Sequence, residues 1–436
     1  MAKIIVNANK KLGRVKEING ITNGPISMGG FFNMSEQYKD LGFPFVRLHD
    51  TDYPYPQQID IPQIFRNFDA DPYDPENYDF ILTDQYITAI VETGAKIIYR
   101  LGTSIEHMKQ KRFIFPPKDF EKWAIVCEHI IAHYNEGWAS GFEYGIKYWE
   151  IWNEPEDWYG RRRLMWIGTA EEYYRLYDVA TKHLKKRFGD RIKVGGYACT
   201  NLRGFKEDAT DYYKYLLGYY HDFLAYIREH KSPLDFFSFH NYSDIPELTL
   251  ECADYARRTL DEAGFDGAEL VLDEWNSDFG SIAQYRKMTD MWGATYVGKM
   301  LIGLQRSPVD IATYYDGQPT MSFCGLFARD RAILKPYYTF RFFRYLRELG
   351  CEVETLCENK DISVIAASNG EKLGVMIVNV GEKTELEVDF ANASPKSMKV
   401  SLLDDEGDER VVAEEVLSRI TLPAQSVAYI AAEEIV

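Results

Sequence analysis

The hydrophobic pattern of the chain alternates between two kinds of segment. Short apolar or β-rich runs lie at residues 24–29, 45–48, 96–101, 148–152, 193–198, 236–240, 269–273 and 311–315. Between them lie longer segments, such as 120–134, 170–188, 211–229, 248–263 and 282–304, whose apolar residues recur every three or four positions. That spacing places them on one buried face of a helix. Eight strands, each followed by a helix, predict an α/β fold of the (β/α)8 TIM-barrel type.

Beyond residue 350 the pattern changes to short alternating runs, at 372–380, 385–390, 399–403 and 427–431. The pair Asn369-Gly370, just before the first of these runs, is a strong hairpin signal. Residues 3–7 offer one more strand ahead of the barrel. The pattern therefore predicts a barrel over residues 16–349 and a small accessory β-sandwich made from residues 1–15 and 350–436.

The negative net charge disfavours nucleic acids and anionic membranes as partners. The chain has 436 residues with 50 Lys and Arg against 67 Asp and Glu, a net charge of −17, and the acidic residues are spread along its length. Nucleic acids and anionic membranes would repel such a protein. A neutral substrate is favoured.

The compartment is predicted from apolar runs and thiols. No apolar run is long enough to span a membrane, and the first residues, MAKIIVNANKKLGRV, lack the apolar core of a signal peptide. The cysteines show no CxxC spacing, which predicts reduced thiols in a cytoplasmic protein; a removed secretory leader is the alternative. They are Cys127, Cys199, Cys252, Cys324, Cys351 and Cys357.

Candidate chemistry lies where the apolar runs end, because TIM-barrel active sites form at the carboxyl ends of the strands. The run YWEIWNEPE contains Glu154, and LVLDEWNS contains Glu274. Two carboxylates across a barrel mouth suit glycosidic cleavage, in which one protonates the leaving oxygen and the other meets the anomeric carbon. Other strand ends supply polar or aromatic groups, namely His49, His240, Tyr242, Tyr314, Tyr315 and Asp316.

Neighbouring residues suggest supporting roles. Asn153 is placed to hydrogen-bond a sugar 2-hydroxyl, and Tyr242 to donate to Glu274 and keep it ionised. Flat rings on which a sugar could stack are Trp152, Trp275, Tyr314 and Tyr315.

These motifs, in this order, resemble glycoside hydrolase family 39 of clan A. The segments that carry the resemblance are WEIWNEPE, WIGTAEEYYRLYDVATKHLKK, DFFSFHNYS and DEWNS, with VRLHD before them and LKPYYTFRFFRYL after them. The resemblance implies a retaining mechanism on this barrel, an accessory β-sandwich, Glu154 as acid/base and Glu274 as nucleophile. It also places His49, Asn153, His240 and Tyr242 at sugar-contact positions.

Three departures from the family pattern concern the sugar rather than the reaction. Asp50 follows His49 where glycine is usual, Arg100 lies in IIYRLGTS where a Glu-Leu-Gly-Phe pattern is commoner, and Tyr314-Tyr315 replaces tryptophan. The β-xylosidase activity typical of the family is therefore one option among several sugars.

The sequence thus predicts a retaining, exo-acting β-glycosidase for short oligosaccharides or glycosides, working through a glycosyl-enzyme on Glu274. No metal or organic cofactor is expected, a carbohydrate is the expected partner, and a homo-oligomer is left open. The predicted substrate-binding residues are His49, Asn153, His240, Tyr242, Trp275, Tyr315 and Asp316.

Three rival functions stay open. An endo-hydrolase or transglycosylase would use the same two glutamates in an open groove. A catalytically inactive sugar-binding barrel is disfavoured because both glutamates are intact. A metal-dependent isomerase lacks support, since no cluster of His, Asp and Glu has ligand spacing.

Structural interpretations compete for single residues. His49 could pair with Asp50, His240 could be a half-buried core imidazole, and Asp316 and Arg100 could form ion pairs instead of binding contacts. His129 and His133, four residues apart, lack the HExxH pattern and are expected as a helix-surface pair. Residues 161–163, three arginines, are either a solvated loop or a sugar contact, and the long segment 53–80 is expected to shape the pocket.

Overall fold

The structure is a computed structural model, and it describes residues 2–51, 57–159, 162–278, 280–319, 323–391 and 395–435. Eight parallel strands close into a barrel. In chain order these barrel strands one to eight are Gly20–Thr22, Phe45–Leu48, Lys96–Leu101, Tyr148–Ile151, Lys193–Cys199, Phe236–Tyr242, Glu269–Asn276 and Ile311–Tyr314. The predicted (β/α)8 barrel is confirmed.

Helices follow the strands around the outside of the barrel. Their apolar faces pack on the strands, as their three- and four-residue spacing requires. The helices are Ser35–Leu41, Ile61–Ile64, Ile81–Val91, Phe120–Glu136, Ala170–Phe188, Asp211–His230, Pro246–Glu262, Ile282–Thr289, Met291–Arg306 and Lys335–Leu349. None of the helices in the described ranges is both long and apolar enough to cross a membrane.

The first barrel strand differs from the sequence prediction. It is Gly20–Thr22, whereas residues 24–29 had been expected, and Ile26–Ser27 pairs instead with Phe32–Asn33 in a small hairpin. A Cβ atom on Gly20 would lie 2.7 Å from a Thr313 side-chain carbon and 3.0 Å from the carbonyl oxygen of Phe45. Only glycine therefore permits this close approach to strands two and eight, and a three-residue strand gives too short an apolar run to recognise.

The predicted helix at 282–304 is in fact two helices. Ile282–Thr289 ends at Asp290, whose side chain accepts a hydrogen bond from the Met291 backbone N–H at 2.8 Å and begins the second helix, Met291–Arg306. Because Asp favours N-cap positions, it interrupts an apolar pattern that would otherwise continue.

The amino end of the barrel is filled by apolar side chains. One buried cluster there consists of Phe45, Ile98, Tyr148, Phe236, Val271 and Ile311, each from a different strand. Buried charged residues, by contrast, lie nearer the carboxyl ends of the strands. The barrel interior is thus closed below, which confines the chemistry to the upper end.

Nine of the other strands form one curled sheet, as expected for the accessory β-domain, and Trp158–Tyr159 pairs with Arg162–Arg163 in a separate two-stranded hairpin. The N-terminal strand of the nine-stranded sheet, Ala2–Arg14, is longer than the predicted 3–7 and pairs with two later strands, one antiparallel and one parallel. Asn369-Gly370 connects a hairpin as predicted, with Gly370 at φ 97°. The strands are Ala2–Arg14, Cys351–Cys357, Ile362–Ser368, Lys372–Asn379, Thr384–Phe390, Pro395–Asp404, Gly407–Ala413, Arg419–Leu422 and Ser426–Ile435.

Candidate active site

The two glutamates singled out in the sequence meet at the carboxyl end of the barrel. Glu274 lies within barrel strand seven, while Glu154 lies just beyond strand four. One oxygen of each glutamate and a ring nitrogen of His240 all lie within 4.8 Å of one another. His240 Nδ1 is 2.6 Å from Glu154 Oε1 and 3.6 Å from Glu274 Oε2. The imidazole therefore bridges the two carboxylates.

The chain reaches Glu154 through an unusual backbone. Trp152 has φ 73° and Glu154 has φ 44°, both in the left-handed region that side-chain-bearing residues seldom adopt. A hydrogen bond from the Glu154 backbone N–H to the Ala198 carbonyl, 3.2 Å, ties this turn to strand five. Such strained residues cluster at functional sites, where the surrounding structure holds them.

Arg47 organises the base of the site. It is fully buried on strand two, and its Nη1 donates to Glu274 Oε1 at 2.6 Å. Its Nε and Nη2 both donate to Glu150 Oε2, and Nη2 also donates to Asn153 Oδ1 at 2.6 Å and lies 3.2 Å from Asp273 Oδ2. The planar guanidinium therefore orients three carboxylates and one amide, which lie on or just beyond strands four and seven.

The charged side chains buried beneath the two glutamates shift one another's pKa values. Burial by itself would lower the pKa of Arg47, but the charges of Glu150, Asp273 and Glu274 outweigh it and raise that pKa. Burial raises the pKa of Glu150 to about 8 despite Arg47, because Asp273 is also close. Burial acts in the same direction on Asp273, but Arg47 and His240 reverse it and lower its pKa. A proton shared by this pair therefore favours Glu150 over Asp273.

Glu154, Glu274 and His240 shift one another's pKa values in the same way. Burial raises the pKa of Glu154, with His240 opposing the rise, and it raises the pKa of Glu274, with His240 and Arg47 opposing. Burial would lower the pKa of His240, yet Glu274, Asp273 and Glu154 raise it well above its usual value. The site therefore contains two cations, Arg47 and His240, beneath and between the two glutamates.

Glu274 has a donor for each oxygen. Arg47 occupies Oε1, and the Tyr242 hydroxyl donates to Oε2 at 2.6 Å, as the sequence had suggested. Hydrogen bonds to a carboxylate stabilise its ionised form. Glu154, His240 and Glu274 also lie close enough together to ligate a cation.

Five predicted sugar contacts have a buried polar atom without a hydrogen-bond partner in the described part of the chain, and two of these, His240 Nε2 and Trp275 Nε1, belong to the bridging imidazole and to a core ring. The other three lie around the mouth. Their atoms are both ring nitrogens of His49, Asn153 Nδ2 and Asp316 Oδ1. A buried polar group without a partner is costly, so such atoms in a cleft invite a ligand or water. Burial lowers the pKa of His49 well below normal, helped by Arg47 and Arg100, so its ring is neutral and can both donate and accept.

The predicted aromatic surfaces divide into two groups. Tyr315 lies near the mouth, its ring centroid 6.3 Å from that of Tyr242. Trp275 instead is fully buried and packs edge-on against Tyr314, with ring centroids 5.1 Å apart, and against Phe340 of the last barrel helix. Because side chains alternate along a strand, Glu274 faces the barrel interior and Trp275 faces the helices. Trp275 is therefore a core residue, contrary to its predicted sugar contact.

Trp152 is likewise a core residue. Its indole N–H donates to the Met165 carbonyl at 2.9 Å, and its ring packs edge-on against Trp166. Tyr314 is fully buried beside Trp275. The sequence patterns of these aromatic residues resemble that of Tyr315, so only the direction of each side chain distinguishes a wall of the cleft from the core.

Arg100 forms an ion pair, one of its two predicted alternatives, and Asp50 makes an internal hydrogen bond beside His49. Arg100 is fully buried and donates from Nη2 to Asp60 Oδ1 at 2.7 Å. Asp50 Oδ1 accepts from the Ile105 backbone N–H at 2.8 Å and lies 3.5 Å from His49 Nε2. Burial raises the pKa of Asp50 to about 7 against that hydrogen bond.

The histidine pair on helix Phe120–Glu136 is buried, not on the surface as expected. His133 stacks on Phe80 with ring centroids 3.6 Å apart, and its Nε2 lies 2.9 Å from Asp84 Oδ1. His129 contacts Tyr78. The later part of the 53–80 segment thus covers this helix, whereas its earlier part, near Asp60, approaches the mouth. Residues 52–56 and Arg161, and the side chains of Arg162 and Arg163, lie outside what the structure describes.

Sequence reasoning missed three members of the site: Arg47, Glu150 and Asp273. Each had a visible signal, namely a charged residue inside an apolar run, in FVRL, YWEI and VLDE. Fully buried charges are rare unless paired, so such residues predict partners on neighbouring strands. Which strands supply the partners is determined by barrel closure.

Comparison with known proteins agrees with this geometry. The family model for glycosyl hydrolases family 39 matches residues 32–375 of the chain. The chain belongs to glycosyl hydrolase family 39. It is therefore a glycoside hydrolase.

Relatives of this family 39 chain carry two activities in their names. A β-xylosidase of Caldicellulosiruptor saccharolyticus is 25% identical over 420 residues, covering 86% of this chain and 78% of that protein. A β-xylosidase of Geobacillus stearothermophilus is 23% identical over 381 residues, covering 79% and 69%. The crystal structure of a glucosidase from Croceicoccus marinus has a TM-score of 0.82 at 21% identity, covering 99% of each chain, which confirms the fold.

Proposed function

We propose that this family 39 hydrolase is a retaining, exo-acting β-glycosidase for short oligosaccharides or glycosides, with Glu274 as nucleophile and Glu154 as acid/base. The observation that carries the proposal is the pairing of Glu154 and Glu274, whose nearest oxygens lie within 4.8 Å at the barrel mouth. Retaining enzymes need carboxyl groups about 5–5.5 Å apart, while inverting enzymes leave about 6.5–9.5 Å for a water molecule.

The roles follow from the two environments. Glu274 accepts from Arg47 and Tyr242, so its ionised form is stabilised and ready to attack. Glu154 contacts His240 and is slightly exposed, with 13% of its side chain accessible. Burial raises the pKa of Glu154. A proton on Glu154 also removes its charge repulsion with Glu274, which favours a protonated Glu154 before the first step.

In the first step Glu154 gives its proton to the leaving oxygen as Glu274 bonds to the anomeric carbon. Asn153, whose buried amide nitrogen has no hydrogen-bond partner in the described part of the chain, is proposed to hydrogen-bond the sugar 2-hydroxyl. In the second step Glu154, now ionised, takes a proton from water, and that water displaces Glu274 with a second inversion.

The sugar and the compartment belong to the proposal as well. The names of the relatives support a xyloside or a glucoside, and the neutral His49 beside Asp50 suits an uncharged sugar with several hydroxyls. All six cysteines are free thiols, which supports a reducing, cytoplasmic location.

A panel of 4-nitrophenyl glycosides tests the proposal. The panel contains xyloside, arabinoside, galactoside, glucoside, mannoside and glucuronide. We expect one neutral β-glycoside to be cleaved best and, by NMR of the first product, a β-anomer that mutarotates later. A first product of α-configuration would exclude the retaining mechanism, and release of the disaccharide unit alone from longer oligosaccharides would favour the endo alternative.

A further inference from the structure

A second acidic residue lies in the same turn as Glu154. Residues 154–157, Glu-Pro-Glu-Asp, form a turn that is closed by a hydrogen bond from the Asp157 backbone N–H to the Glu154 carbonyl oxygen at 3.0 Å. Proline is favoured at the second position of a β-turn, which Pro155 occupies, and such a turn keeps its first and last Cα atoms within about 7 Å. The side chains of Glu154 and Asp157 therefore start from neighbouring points of the backbone.

Strand five and the residue that follows it hold one side of this turn. The Glu154 backbone N–H donates to the Ala198 carbonyl oxygen at 3.2 Å. The Thr200 backbone N–H donates to Glu156 Oε1 at 2.6 Å. These two contacts fix the path of the turn against the barrel strands.

A tyrosine from an outer helix holds the other side of the turn. Tyr212, the second residue of helix Asp211–His230, donates its hydroxyl to Asp157 Oδ1 at 2.6 Å. Burial and then the charge of Asp157 raise the pKa of Tyr212 far above its usual value, so the phenol stays a donor. A hydrogen bond to a carboxylate stabilises the ionised form of that carboxylate. Tyr212 therefore both fixes the Asp157 side chain and favours its negative charge.

The charge of Asp157 opposes the two cations that act on Glu154. Burial raises the pKa of Glu154, His240 and Arg47 lower it, and Asp157 adds to the rise. Cations alone would favour the ionised form of an acid that must hold a proton before the first step, so a nearby negative charge restores the balance. The described titratable and charged groups around Glu154 come from strands two, six and seven, from helix Asp211–His230 and from its own turn, and they are Arg47, His240, Tyr242, Glu274, Tyr212, Glu156 and Asp157.

We propose that Asp157, held by Tyr212, is a positioning residue for Glu154: it keeps the turn of the acid/base in place and supplies a negative charge beside it. The inference rests on the proposed role of Glu154 as acid/base, and it adds a residue that sets the pH range in which this acid can act. Without the charge of Asp157, Glu154 loses its proton at lower pH. The basic limb of the pH profile of kcat/KM, which reports the acid of the free enzyme, then moves to lower pH.

The test separates the charge of Asp157 from its hydrogen bond. Asp157→Asn removes the charge but keeps an oxygen that can accept from Tyr212, whereas Asp157→Glu keeps the charge on a longer side chain. Tyr212→Phe removes the donor and keeps the ring. Asp211→Asn is the matched control, because Asp211 directly precedes Tyr212, is exposed and loses the same charge. Thermal unfolding checks that every variant is folded.

The substrate is the phenyl glycoside of the sugar that the wild type cleaves best, because its poor leaving group needs the acid. In Asp157→Asn we expect the basic limb to move to lower pH by about 0.5–1.5 units, the effect of one charge about 7 Å away near a protein surface. Asp157→Glu should restore the wild-type limb. Tyr212→Phe should lower kcat/KM about two- to tenfold, as loss of one hydrogen bond predicts, with a smaller shift of the limb. An unmoved limb in Asp157→Asn, or an equal shift in Asp157→Glu or Asp211→Asn, would overturn the proposal.

Carbon-detected NMR of the labelled carboxyl groups separates this proposal from the glycosidase proposal. The pKa of Glu154 is measured without substrate in the wild type, Asp157→Asn and Asp211→Asn, and Glu154→Gln identifies its signal. A pKa of Glu154 that falls in Asp157→Asn alone supports the positioning role even if the wild type hydrolyses no glycoside. A pKa that is the same in all three proteins contradicts that role even if the wild type is a glycosidase.

Discussion

The surroundings of Glu154 and Glu274 differ more than their sequence motifs do. Glu274 lies inside a strand, is 5% exposed, and has a donor on each oxygen. Glu154 lies beyond its strand end on a left-handed backbone, is more exposed, and has His240 as its hydrogen-bonding contact. The comparison supports the proposed roles: the carboxylate of Glu274 is fixed by two hydrogen-bond donors, while that of Glu154 is more accessible for exchanging a proton.

Removing each glutamate should give the largest effect and separate the two roles. In Glu274→Ala no glycosyl-enzyme forms, so turnover should fall by at least about 10⁴-fold for every leaving group. Azide can then attack directly and give the inverted glycosyl azide. In Glu154→Ala an activated aryl glycoside should still react with Glu274, while a natural sugar leaving group should lose about 10²–10⁴-fold.

The azide products provide the decisive readout. In Glu154→Ala azide intercepts the glycosyl-enzyme, which gives a product of retained configuration and faster turnover. Product configuration is measured by NMR for both variants. The same configuration from both would show that the roles assigned to Glu154 and Glu274 are wrong.

Replacement of Arg47 tests whether the orientation of Glu274 depends on the Arg47 guanidinium. Arg47→Met leaves Glu150, Asp273 and Glu274 without their shared cation, so we expect a loss of about 3–5 kcal/mol in the free energy of unfolding. Arg47→Lys keeps the charge but not the fork of donors. Arg47→Lys should remain folded, as judged by chemical denaturation. Its kcat/KM should nevertheless fall, because a single ammonium group cannot orient all the groups that the guanidinium holds. Full activity in Arg47→Lys would rule out the proposed orientation of Glu274.

Tyr242→Phe removes one donor from Glu274 and keeps the ring. Because hydrogen bonds to a charged group are worth about 1.5–3 kcal/mol, kcat/KM should fall roughly 10–150-fold. The Tyr242 hydrogen bond lowers the pKa of Glu274, so its loss raises that pKa and moves the acid limb of the pH–rate profile to higher pH. Tyr314→Phe, in the core beside Trp275, is the control. An unchanged acid limb in Tyr242→Phe would contradict this account.

Covalent trapping of Glu274 tests whether its negative charge raises the pKa of Glu154. A 2-fluoroglycosyl group on Glu274 removes one negative charge close to Glu154, so the pKa of Glu154 should fall. Carbon-detected NMR of the labelled carboxyl measures it before and after trapping. A pKa that stays the same would mean that burial alone, without the charge of Glu274, controls the proton on Glu154.

Glu156, two residues beyond Glu154, should give the smallest effect. It is buried, it accepts from the Thr200 backbone N–H at 2.6 Å, and burial raises its pKa to about 8. Between the unfolded pKa of about 4.3 and this value, only the folded state keeps the proton, so stability falls as pH rises. Glu156→Gln should reduce this slope by up to about 1.4 kcal/mol per pH unit, measured by denaturation between pH 5 and 8. Glu36→Gln, at an exposed position, should leave the slope unchanged.

The sequence alone predicted the barrel, the accessory β-domain and the meeting of Glu154 and Glu274 at the carboxyl end of the barrel. Those features are periodic or local: strands, helices and strand-end carboxylates are visible in the order of residues, because each depends on its neighbours in the chain. The first barrel strand was misplaced, since Gly20–Thr22 is too short to show a period.

Only the tertiary structure decided which residues work together. Arg47, Glu150 and Asp273 come from three different strands, and barrel closure alone brings them together beneath Glu274. The direction of each side chain separates Tyr315 in the cleft from Trp275 in the core, although both follow apolar runs. A shared cation and a side chain's direction depend on contacts between distant segments, which no local pattern of residues records.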